Sequence, residues 1–173
     1  TRSGDVSFVI DQLEKLNIGG ITSIFTQKLS LNKIGIFGHS FGGATSIHAA
    51  FNDKRIAACL TLDPWYVPVH DEIIQGGITA PFLHIGQPKW KKPLNFQKRD
   101  AFIQNSSFES VLVTIAETFH FDYMDMPLFT PATKKFGLTG KIDPILLYTI
   151  LNRLQLDFFN SNIRDYEFLN NIY

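Results

Sequence analysis

The chain has 173 residues, 45% of them hydrophobic, enough for one cored domain over 1–173 but not for a second. Its 16 basic and 16 acidic residues cancel, so no broad basic face is available for a phosphate backbone and nucleic acid is not an expected partner. The single cysteine, Cys59, excludes an internal disulfide and reads as a buried apolar side chain, and no apolar run reaches the roughly 18 residues a membrane-spanning helix needs.

In chain order, Val6, Val9, Ile10, Leu13 and Leu16 recur at helical spacing, which predicts an amphipathic helix from Asp5 to Leu16, with Ser3 or Asp5 as its cap. The chain opens on Thr1, close to what reads as an interior helix, without a signal-like segment, so residues upstream are expected. Ile34 to Phe37 form a short apolar run that ends at Gly38, and small residues follow from Gly42 to Ala50, giving strand, sharp turn and helix. Ile56–Leu62, Phe82–Ile85 and Val111–Ile115 are three more apolar runs closed by polar, Gly or Pro residues, as buried parallel strands are. Leu94 to Ile103 supplies a thin-faced crossover helix between the last two. Asp143-Pro144 is a helix start, and Ile145 to Phe158 continue as an apolar helix for one face of the sheet; the tail after Asn160 takes no assignment.

The most informative stretch is Gly38-His39-Ser40-Phe41-Gly42-Gly43, a G-x-S-x-G pattern lying between a strand and a helix. That context predicts the α/β-hydrolase fold, in which Ser40 sits on a strained turn with Gly38 and Gly42 allowing close strand–helix packing. A serine hydroxyl is a poor nucleophile at neutral pH, so it needs a base, and the base needs an acid to fix its tautomer. In this fold the order is Ser, Asp or Glu, then His, on loops after successive strands. Asp63 follows the second strand directly and is the leading acid; Asp71 and Glu72 compete from further into the loop, and the loop Gly86–Trp90 has no carboxylate. His120 alone follows the last strand and is the expected base, with His70 as a contender, while His39, His48 and His84 read as structural. The backbone N–H of Phe41 is the expected oxyanion donor; its partner donor belongs upstream of the serine and is not visible.

Taken together, Gly38-His39-Ser40-Phe41-Gly42-Gly43-Ala44-Thr45, Leu62-Asp63-Pro64-Trp65 and His120 resemble the plasma and type II intracellular platelet-activating factor acetylhydrolases, also called lipoprotein-associated phospholipases A2. The resemblance implies a mostly parallel sheet flanked by helices, a Ser40–Asp63–His120 triad, and Trp65 lining an acyl site. It implies calcium-independent hydrolysis of short or oxidised sn-2 acyl groups of phospholipids, with no metal or other cofactor. It also implies contact with a membrane or lipoprotein surface, for which Trp65-Tyr66-Val67-Pro68 or Lys89-Trp90-Lys91-Lys92 are candidates beside the plainer reading of loop aromatics and solvated lysines. Pro64 and Met124–Phe129 depart from the family's vertebrate members, and the family's strands before the elbow are not found, so the chain is expected to be a C-terminal fragment or a shortened paralogue. The rival expectations are a catalytically incomplete lipid- or partner-binding remnant and an esterase for other small esters.

Overall fold

The computed structural model describes residues 2–90, 92–106 and 110–163; the final residues of the unassigned tail and Lys91 lie outside them. Four parallel strands, β1 (Ile34–His39), β2 (Ile56–Leu62), β3 (Phe82–Gly86) and β4 (Ser110–Thr114), pair in sequence order. These are the four expected strands. The helices are α1 (Arg2–Asn17), α2 (Phe41–Asn52), α3 (Asp71–Gly76), α4 (Pro93–Asn105), two single-turn helices α5 (Met126–Phe129) and α6 (Ala132–Lys135), and α7 (Pro144–Ile163).

Strand alternation sorts the core into two layers. On one face Cys59 and Phe82 meet Ile47 and Ala50 of α2, Ile73 and Ile74 of α3, and Phe102 of α4. On the other, Leu60, Leu62, Leu83 and Ile85 meet Leu147 and Leu151 of α7, the face for which its apolar stripe was expected. Cys59 is fully buried, and burial pushes its thiol far up, which leaves it an inert apolar side chain. Among the described residues no helix is long and apolar enough to cross a membrane.

The structure departs from the sequence reading at α1 and at α3. Helix α1 begins at Arg2, so Ser3 and Asp5 lie inside its first turn and do not cap it. Its register is fixed further along, where Arg55 at the start of β2 reaches Asp11 at 2.8 Å, Glu14 at 3.0 Å and Asp53 at 2.6 Å. The guanidinium holds Asp53 well below the usual carboxylate range, so this tie persists above that range and is lost as acid protonates the carboxylate. Helix α3 was not expected: Asp71 and Glu72 were placed in a loop, but they occupy a first helical turn whose next residues, Ile73 and Ile74, are buried.

Because α7 covers the second face largely through Leu147 and Leu151, Leu147→Ala should lower stability by about 2–5 kcal/mol, read as a shift in the urea midpoint. An unchanged midpoint would show that α7 is not part of the cooperative unit.

Candidate active site

The site begins with the turn that joins β1 to α2. Ser40 has φ 55° and ψ −118°, a conformation that L-residues occupy at a cost of about 1–3 kcal/mol and that the surroundings must enforce. They do so through main-chain bonds. The Ser40 N–H donates to the Leu62 carbonyl at 3.1 Å, and the Ser40 carbonyl accepts from Trp65 N–H at 3.0 Å and Gly43 N–H at 3.1 Å. The elbow is thereby tied to the end of β2, which Asp63 follows.

The glycines divide differently from the expectation. A Cβ on Gly38 would lie 2.3 Å from the Gly42 carbonyl oxygen, so Gly38 is required. A Cβ on Gly42 would meet nothing within 4 Å, whereas one on Gly43 would lie 2.6 Å from Pro64 Cβ. The close approach is therefore made at Gly43, by a proline from the neighbouring strand end, and not at Gly42.

Three side chains from three strand ends converge above this turn. His120, in a 3-10 turn over His120–Tyr123, places Nε2 2.8 Å from Ser40 Oγ and Nδ1 2.6 Å from Asp63 Oδ2. With the carboxylate as acceptor, Nδ1 carries the proton and Nε2 accepts from the serine hydroxyl. Asp63 is 1% exposed at φ 40° and receives further bonds from Gln87 N–H to Oδ1 at 3.1 Å, Gln87 Nε2 to Oδ2 at 2.7 Å and Trp90 Nε1 to Oδ1 at 3.0 Å. Burial alone would push its carboxyl up. The bonds from His120, Gln87 and Trp90 outweigh that penalty and hold it below the ordinary value, ionised at neutral pH.

The 3-10 turn is itself anchored. Buried Asp122 accepts from Phe119 N–H and Gly140 N–H, both at 2.6 Å, and His39 Nε2 donates to the His120 carbonyl at 3.1 Å, its ring centroid 4.7 Å from that of His120. Burial and the neighbouring His120 both lower the His39 pKa, so it is neutral at physiological pH and puts no positive charge beside His120.

The other candidates are used elsewhere. Asp71 pairs with Lys98 at 2.8 Å, and His70 precedes α3 with its ring against His48. His84 is buried with Nδ1 3.2 Å from Tyr66 Oη, and burial pushes its pKa down to about 3. Phe41 heads α2, where first-turn N–H groups have no intrahelical acceptor and the helix dipole favours negative charge. Trp65 is 37% exposed and, with Trp90, Phe119, Phe121 and Leu138, lines an open cleft of about 620 Å³ that reaches His120. Gln87 and Trp90 were missed as site residues: a loop without a carboxylate gave no reason to suspect it. Among the described residues no group of three or more His, Cys, Asp or Glu is arranged to hold a metal ion.

A parallel sheet flanked by helices, with a serine on a strained strand-to-helix turn after its first strand, is the α/β-hydrolase fold. A solved ferulic acid esterase from Streptomyces cinnamoneus shares this fold, with a TM-score of 0.74 over 94% of this chain and 48% of that one, at 19% identity. The family model for platelet-activating factor acetylhydrolase, isoform II, matches residues 11–172, and the chain belongs to that family. Proteins named platelet-activating factor acetylhydrolase from Gallus gallus and Bos taurus are both 30% identical to it, over 79% and 92% of this chain. One from Cavia porcellus is 31% identical over 77%. The chain spans 33%, 33% and 30% of the length of these three relatives.

The glycine geometry separates two neighbouring substitutions. Gly43→Ala should cost about 1–3 kcal/mol by overpacking against Pro64, whereas Gly42→Ala should change stability by less than about 0.5 kcal/mol, the open position gaining helix propensity. Equal denaturation midpoints for the two variants would contradict this packing.

Proposed function

We propose that the chain carries the catalytic centre of a serine carboxylic ester hydrolase that removes short or oxidised sn-2 acyl groups from phospholipids such as platelet-activating factor. The observation that supports this reading is the unbroken bond chain from Asp63 Oδ2 through both nitrogens of His120 to Ser40 Oγ. The shared name of the relatives supports the substrate class.

In the proposed reaction Ser40 Oγ attacks the ester carbonyl while His120 Nε2 takes its proton. The oxyanion that forms is stabilised by the Phe41 N–H at the head of α2. His120 then protonates the departing lyso-lipid oxygen, the acyl group remains on Ser40, and water activated by the same nitrogen releases it as the free acid. Asp63 stays ionised and stabilises the imidazolium in both halves. The aromatic cleft beside His120, with Trp65 on its wall, would take the acyl group.

Membrane contact belongs to this proposal, through a different surface from either stretch singled out in the sequence. Tyr66 is fully buried, and Trp90 turns its N–H inward to Asp63, so neither stretch presents all its aromatics. Phe129 at the end of α5 and Phe136 just after α6 are 82% and 76% exposed, and Phe136 directly follows the exposed Lys134 and Lys135. Apolar tips next to cations suit the headgroup boundary of a bilayer.

The test compares a soluble short-chain ester with a short sn-2 acyl phospholipid in vesicles. Ser40→Ala should lose about a thousandfold or more on both substrates, whereas Phe129→Ser with Phe136→Ser should lower turnover on vesicles only. Equal rates for Ser40→Ala and the unmodified chain would remove the serine from the mechanism. An unchanged vesicle rate in the double variant would remove the docking surface.

A further inference from the structure

We infer that Trp90 is a positioning residue of this site: its indole N–H fixes Asp63, and its ring edge keeps His120 in line with Ser40. This rests on the function proposed above and extends it to a residue outside the Ser–His–Asp set.

The inference starts from how the Asp63 carboxylate is filled. Each oxygen accepts two bonds among the described residues, Oδ1 from Gln87 N–H and Trp90 Nε1, Oδ2 from Gln87 Nε2 and His120 Nδ1. Gln87 clamps both oxygens from the end of β3. Trp90 supplies the remaining side-chain donor on Oδ1, which commits Oδ2 to the imidazole. Without it a nearly fully buried oxygen would hold one partner, and the carboxylate would be free to rock about its Cβ–Cγ bond and change which oxygen His120 sees.

The same indole meets the base. The Trp90 and His120 ring centroids are 5.0 Å apart at an interplanar angle of 68°, a T-shaped contact between two residues that both line the cleft. His39 lies tilted against His120 at 4.7 Å and Phe121 meets it at 5.6 Å, so among the described residues Trp90 is one of three rings around the imidazole and the one that also bonds Asp63. A histidine that takes a proton from Ser40 and later delivers one to the leaving group must not swing toward the open cleft, and Trp90 is placed to prevent that. Because the indole also lines the cleft, an acyl group lying there would press on the residue that orients acid and base.

Trp90→Phe keeps a ring in the wall and removes the donor. With one bond fewer, the carboxylate keeps more negative charge for the imidazolium, so the acidic limb of the rate profile should move to higher pH. The ionisable groups facing or bordering the His120 ring are Asp63, which loses this donor, and His39 with the cleft-lining Lys89 and Lys92, which do not bond the indole N–H.

The rate of Ser40 labelling by a small fluorophosphonate and the hydrolysis of a soluble ester are measured against pH in the unmodified chain and in Trp90→Phe. The expected result is labelling and kcat slowed by about threefold to tenfold, KM within about twofold, and the acidic limb displaced upward. Unchanged labelling and profile would overturn the inference, as would a change confined to KM, which would make the indole only a wall. Benzothienylalanine at position 90, shaped like tryptophan but lacking the N–H, should reproduce the slowing if Trp90→Phe fails to fold. A folded unmodified chain that takes no label would instead sink the proposed function, so the two failures are distinguishable.

Discussion

A carboxylate 1% exposed to solvent is held ionised in the interior, and most of what surrounds it follows from that constraint. Removing a charge from water costs several kcal/mol unless its lone pairs are filled, and Asp63 has donors on both oxygens from three residues on two loops. The loop after β3 must return over the end of β2 to bring Gln87 and Trp90 into reach. The loop after β4 must turn within a few residues so that His120 arrives as the last donor. The charge that holds the His120 imidazole is thus also the anchor for both loops, and the proposed chemistry and local folding share one requirement.

The scaffold supplies the positions. Parallel pairing in register puts Leu62, Ile85 and Thr114 near one end of the sheet, so residues leaving β2, β3 and β4 meet there without a long excursion. The strain at Ser40 is borne by bonds to the main chain of Leu62, Trp65 and Gly43, which couples the conformation of Ser40 to the strand that leads into Asp63. Asp122 and His39 fix the His120 turn from the two other sides.

Much of this was legible in the amino-acid order, because it depends on local pattern. Apolar runs bounded by polar residues marked the four strands, and Gly38 before Ser40 marked the turn, since no side chain fits beneath it. The positions of Asp63 and His120 followed from which strand each one ends. Features that depend on distant chain were not legible. Whether Gly42 or Gly43 is the tight position is decided by Pro64, which arrives from the next strand. Trp90 read as a loop or surface aromatic because its partner, Asp63, is 27 residues earlier. Helices α3, α5 and α6 span at most six residues, too few for periodicity to separate them from turns.

The account depends most on Asp63 being an ionised orienter of His120, and Asp63→Asn tests that with little change in shape. The amide offers Nδ1 of His120 a poorer acceptor and favours the wrong tautomer, so hydrolysis of a soluble ester near neutral pH should fall by about a thousandfold to ten-thousandfold while the folded state is retained. A folded Asp63→Asn protein that turns over at the unmodified rate would contradict it.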